Sequence, residues 1–87
     1  MFKRIRAQIE ERRINGLKKG LGIAERYLRA DMTSKQLSVN AGAAHADIHI
    51  LFENGEITWA EREAAVDVMR NHYEKMWRMA KFREELT

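Results

Sequence analysis

The 87-residue sequence predicts an all-α fold of three to four helices, with a basic N-terminal helix followed by an antiparallel helical hairpin that ends in a long C-terminal helix. Three observations carry this. There is no proline, so ring geometry breaks no helix. Apolar residues recur at steps of three and four along most of the chain, which is the period of one helix face. Thr58 followed three residues later by Glu61 has the form of a capping box, in which each side chain bonds the other's backbone N–H. The whole of 1–87 reads as one small domain, with a basic helical segment at 1–30 and the hairpin at 33–86.

The first element is a basic amphipathic helix over 2–14, with Phe2, Ile5 and Ile9 on one face. Asn15-Gly16 is a turn signal. A second stripe, Ile14, Leu17, Leu21, Ala24 and Leu28, predicts a helix over 17–30. Gly16, Gly20 and Gly22 each cost about 1 kcal/mol in a helix interior. They either weaken this helix or mark the close crossing of another backbone.

Thr33 and Ser34 suit a helix N-cap. The stripe Leu37, Ala41, Ala44, Ile48 and Leu51 then fits one helix over 34–53, or two short ones broken near Gly42. Asn54-Gly55 closes this element, since glycine commonly sits just past a helix end. The short connection before Thr58 predicts antiparallel neighbours. Trp59 is expected to cover the turn.

The last helix spans about 59–85 and carries two stripes. Val66, Met69, Tyr73, Met76 and Ala80 form one; Val68, Met79, Phe82 and Leu86 form the other, with Trp77 between them. One neighbour cannot cover both, so a second contact is expected, from the N-terminal helix or from a partner chain.

Charge is unevenly spread. The net charge is +3, but residues 1–30 carry +6, residues 31–69 carry −5 and residues 70–87 carry +2. A basic segment of this kind attracts phosphate or an acidic partner. No cysteine is present, which removes disulfides and thiol chemistry. No apolar run approaches a membrane span and the charged start lacks a signal-peptide core, so a soluble, cytoplasmic protein without membrane contact is expected.

Thr33, Leu37, Ala41-Gly42, Ile48 and Leu51 have the spacing of repressor-type helix-turn-helix proteins, and over about 20 residues the segment resembles them. The resemblance implies a turn at Ala41-Gly42 and a recognition helix after it. Its exposed positions would be Ala44, His45, Ala46, His49 and Ile50, where only the histidines can hydrogen-bond a base edge. No Lys or Arg lies between Ala41 and Thr58, and Asp47, Glu53 and Glu56 oppose phosphate contact.

Chemistry is not expected. His45 and His49 are spaced to share a helix face, but metal binding would need a third ligand, and His72 is the one other histidine. Adjacent glutamates at 10–11 and 84–85 point apart on a helix. No phosphate-cradling glycine loop is present. Around ENGEIT, a calcium loop would take Ile50 and Phe52 as ligands, which cannot bind the ion. No cofactor is implied.

The sequence therefore predicts a non-enzymatic regulator or inhibitor acting through protein contacts, of the size of bacterial or phage accessory proteins. Tyr73, Met76, Trp77, Met79 and Phe82 are the expected apolar contact, because methionine and aromatic residues are enriched where proteins meet. Arg4, Arg6, Arg12, Arg13, Lys18 and Lys19 are the expected electrostatic one. The partner is another protein, a second copy of the chain included. The alternative is a helix-turn-helix DNA-binding regulator using 33–52, with His45, His49 and the basic arm as contacts. RNA binding through the first helix is a weaker rival, with Glu10-Glu11 interrupting its basic run.

Overall fold

The computed structural model describes residues 2–87, with side chains from Arg4 onward. It contains three helices: α1 (Phe2–Tyr27), α2 (Ser34–Glu53) and α3 (Trp59–Leu86). The count is three, because Asn15-Gly16 and Gly42 are both helical.

The first expected break, at Asn15-Gly16, lies inside α1. Glycine is there for another reason. A Cβ added to Gly16 would stand 2.5 Å from the backbone oxygen of Glu61, and one added to Gly20 would stand 2.5 Å from Cα and O of Ala65. Side chains are absent because the backbone of α3 occupies their place. Gly16 on Glu61 and Gly20 on Ala65 also show that α1 and α3 lie side by side in the same direction. Asn15 adds a hydrogen bond from its amide to the Glu61 carboxylate. Gly22 is different: nothing lies within 4 Å of its added Cβ.

At Gly42, where the sequence allows one helix over 34–53 or two and the helix-turn-helix resemblance implies a turn, α2 runs unbroken through Ala41 and Gly42. The helix-turn-helix geometry is therefore not formed. No proline forces a turn here, and Gly42 faces solvent without strain. Thr33 caps α2 by accepting from the Gln36 N–H, while the Gln36 side chain accepts from the Thr33 N–H. At the far end Gly55 has φ 75°, the left-handed conformation that glycine adopts without penalty. Thr58 and Glu61 form the expected capping box of α3.

The core lies between the three helices. Leu28, Leu37 and Ile48 are its largest fully buried side chains, surrounded by Ala24, Ala44, Ala65, Val66, Met69, Met76 and Ala80. The α1 stripe expected to bury is only partly buried. Ala24 and Leu28 are inside, whereas Ile14 and Leu21 are exposed. At about 100° per residue the face that meets α3 instead runs through Gly16, Gly20 and Ile23.

The α1–α2 connection is fastened to the end of α3. Arg83 donates to the carbonyls of Ala30 (2.6 Å) and Met32 (3.1 Å). Glu84 accepts from the backbone N–H and the hydroxyl of Ser34, and these bonds hold its carboxyl below the usual carboxylate range. His72 bonds the Leu28 carbonyl at 3.0 Å. Tyr27 donates to Asp47 at 2.5 Å, tying α1 to α2, and that bond raises the phenol above its ordinary pKa.

Two outcomes are expected. Gly16→Ala and Gly20→Ala each push α1 off α3 and cost about 1–3 kcal/mol. Gly22→Ala, with open space around it, stabilises by about 0.5–1 kcal/mol. Chemical denaturation of the three variants checks this, and equal effects at all three positions would refute the crossing. The second outcome concerns Glu61. The Thr58 N–H and then the Asn15 amide hold its carboxyl below the usual range. A lowered folded pKa gives stability that is present above the unfolded value of about 4.3 and is lost as pH falls through the folded one. Glu61→Gln is thus expected to melt several degrees below the parent at neutral pH, with the gap closing in acid. Thermal melts across pH check it.

Candidate contact surfaces

Helix geometry disperses the five apolar residues expected to act together on α3. Met76 is buried in the core. Tyr73 is half-buried and its hydroxyl is 3.0 Å from that of Ser38. Trp77 is partly exposed, with the Lys81 ammonium 5.6 Å from its ring centre. Two residues on, Met79 lies about 200° round the helix, on another side. What remains together is Met79, Phe82 (64% exposed) and Leu86 (72% exposed). Leu86 belongs to this surface by its spacing of four and seven, although it was not among the expected contact residues. Val68, on the same stripe, meets α1 at Gly20. The N-terminal helix therefore covers the lower part of this face and stops short of the upper part.

The basic set separates too. Every residue from Arg4 to Asn15 is exposed, because this stretch of α1 precedes the crossing at Gly16 and extends past the start of α3. Arg4, Arg6, Arg12 and Arg13 have no ion pair among the described residues. Ile9 (55% exposed) and Ile5 sit on the face of α1 that becomes the α3 contact further along. The overhang thus presents an apolar strip with arginines beside it. Lys18 is exposed, while Lys19 is half-buried and lines a groove of about 440 Å³ between α1 and α2. The overhang and the Met79–Phe82–Leu86 strip lie at opposite ends of a molecule 58 Å long, so they do not form one continuous patch.

The expected alternative contacts, His45 and His49, lie on α2. His45 is exposed beside Gly42, Arg70 and Tyr73. His49 is half-buried, with Nε2 2.6 Å from Glu53 Oε1 and Nδ1 buried without a partner. No group of three His, Cys, Asp or Glu side chains with metal-binding geometry occurs among the described residues. Trp59 packs edge-on against Phe52 at 5.3 Å, beneath the Arg62 guanidinium, and so joins the start of α3 to the end of α2. No helix among the described residues is long and apolar enough to cross a membrane.

No protein-family model, curated protein or solved structure matches this chain.

The division between core and surface on α3 is testable by stability alone. Met76→Ala is expected to cost about 2–4 kcal/mol, the penalty for a truncated core side chain. Phe82→Ser is expected to change stability by no more than about 0.5 kcal/mol. Urea unfolding of both variants would show it, and a large loss for Phe82→Ser would place that ring in a packed site.

Proposed function

We propose that this chain is a small, cytoplasmic, non-enzymatic regulator or inhibitor that docks on another protein, with the α1 overhang as its principal contact. The α2–α3 antiparallel hairpin backs α1 and holds the overhang clear of the core. One observation carries the reading: Ile5 and Ile9 stay exposed where the cover of α3 ends, beside Arg4, Arg6, Arg12 and Arg13, which form no ion pair among the described residues. Apolar surface on an isolated stretch of helix gains little until something covers it. An amphipathic helix of this kind suits an apolar groove with acidic walls. The Met79–Phe82–Leu86 strip, at the other end, offers a second and smaller apolar contact.

Nucleic acid is the second reading, favoured by the same unpaired arginines. A phosphate backbone would bind them with a steep salt dependence and would leave Ile5 and Ile9 without a role. The helix-turn-helix version of this reading loses its separate recognition helix, since α2 is continuous.

One pair of experiments tests the proposal. A photo-cross-linker at Ile9 in the full chain, in lysate, is expected to trap one discrete protein. Arg12→Glu with Arg13→Glu is expected to abolish that adduct with helix content unchanged. Fluorescence anisotropy on a mixed-sequence DNA duplex is expected to give no binding at moderate salt. Tight, salt-steep DNA binding lost in the same double variant would overturn the protein-docking reading in favour of nucleic acid.

A further inference from the structure

The outer face of α2 carries a pattern that the core does not use. The inner face packs through Leu37, Ala44 and Ile48. Nearly opposite, Val39, Ala43, Ala46 and Ile50 follow at steps of four, three and four, the spacing of a coiled-coil seam. All four are exposed, Val39 at 68% and Ile50 at 52%. A polar helix surface would be the ordinary solution here.

The seam reads the same in both directions, with a large residue at each end and alanines in the middle. Antiparallel pairing of two such faces sets Val39 opposite Ile50 and Ala43 opposite Ala46, twice over. The alanines let the two backbones approach closely, and the large residues fill the ends. Beside Ile50 lies the groove between α1 and α2, lined by Gly22, Ile23 and Leu51 together with Lys19, Arg26 and Asp47. Gly22 has open space above it, so the groove has room for a side chain arriving from outside. In the antiparallel register that side chain is Val39 of the second copy.

The charges at the ends agree with this register. Lys35 lies one turn before Val39 and Glu53 one turn after Ile50, on the same flank of the seam. Both are exposed. Lys35 has no ion pair among the described residues, and Glu53 is engaged through one oxygen by His49. Reversing one helix against the other brings Lys35 of each copy to Glu53 of the other. A parallel two-fold pairing would carry each flank to the opposite side of the seam and bring no Lys35 to a Glu53. A face that is its own complement in shape and in charge fits a two-fold interface.

We propose that two copies of this chain form an antiparallel homodimer through Val39, Ala43, Ala46 and Ile50 of α2, closed at its ends by Lys35–Glu53 pairs. The surface is separate from the α1 overhang and does not rest on the docking role given above. A single seam about 17 Å long is at the small end of specific interfaces, so the dimer is weak and exchanges with monomer as concentration changes.

Sedimentation equilibrium of the full chain, from low micromolar to near-millimolar concentration, tests it. The parent is expected to show a monomer–dimer equilibrium that Ala43→Arg abolishes, with helix content unchanged by circular dichroism. Lys35→Glu and Glu53→Lys are each expected to weaken the dimer about tenfold, and the two together to restore it. That rescue is specific to the antiparallel register and does not depend on Ala43→Arg folding. A parent that stays monomeric throughout overturns the proposal. So does a dimer indifferent to Ala43→Arg, or a double charge reversal as weak as the single ones.

Discussion

Everything in this molecule is arranged around one contact between two backbones. Gly16 and Gly20 of α1 lie against Glu61 and Ala65 of α3 with no room for a methyl group between them. Such closeness fixes both the height and the rotation of α1 on α3. The Glu61 carboxylate then serves two elements at once, closing the capping box of α3 and accepting from Asn15 of α1. A helix start and a helix crossing are thus one structure. The cost is a thin core. Between helices this close there is space for alanine at 24 and 65, while Trp59 and Phe82 stay largely outside.

The height of the crossing also decides what is uncovered. It engages the beginning of α3 with the middle of α1. The first dozen residues of α1 then overhang one end, and Met79, Phe82 and Leu86 extend beyond the cover of α1 at the other. The α1–α2 connection, anchored in the core by Leu28, is also fastened by Arg83 on two carbonyls and Glu84 on Ser34. Both exposed apolar regions follow from one offset between two helices.

How much of this could be read from the sequence depends on the reach of each signal. The Thr58–Glu61 box and the Gly55 stop are local chemistry, and they were legible in full. So was the inner stripe of α2, since Leu37, Ala44 and Ile48 keep helical spacing. Asn15-Gly16 was misread as a turn because a glycine that turns the chain and one that admits a neighbour look alike. What tells them apart lies at Glu61, far along the sequence. Gly42 posed the same ambiguity and resolved to an exposed helix position. The apolar contact on α3 was over-collected: Met76, Trp77 and Met79 are close in sequence, but a helix sends them to the core and to two different sides. The arginines of α1 were legible as a basic face. That they lie past the end of α3 was not, because the offset is set by a pair of glycines.

The same-direction pairing of α1 with α3 has a consequence for the order in which the chain is made. The two glycines of α1 are synthesised well before the residues that cover them, roughly 45 positions later. α1 can meet α2 first, through Tyr27 and Asp47, whereas its glycine face must wait for α3. Until then Gly16 and Gly20 have no backbone against them, and the first half of α1, marginal as an isolated helix, lacks the neighbour that fixes it.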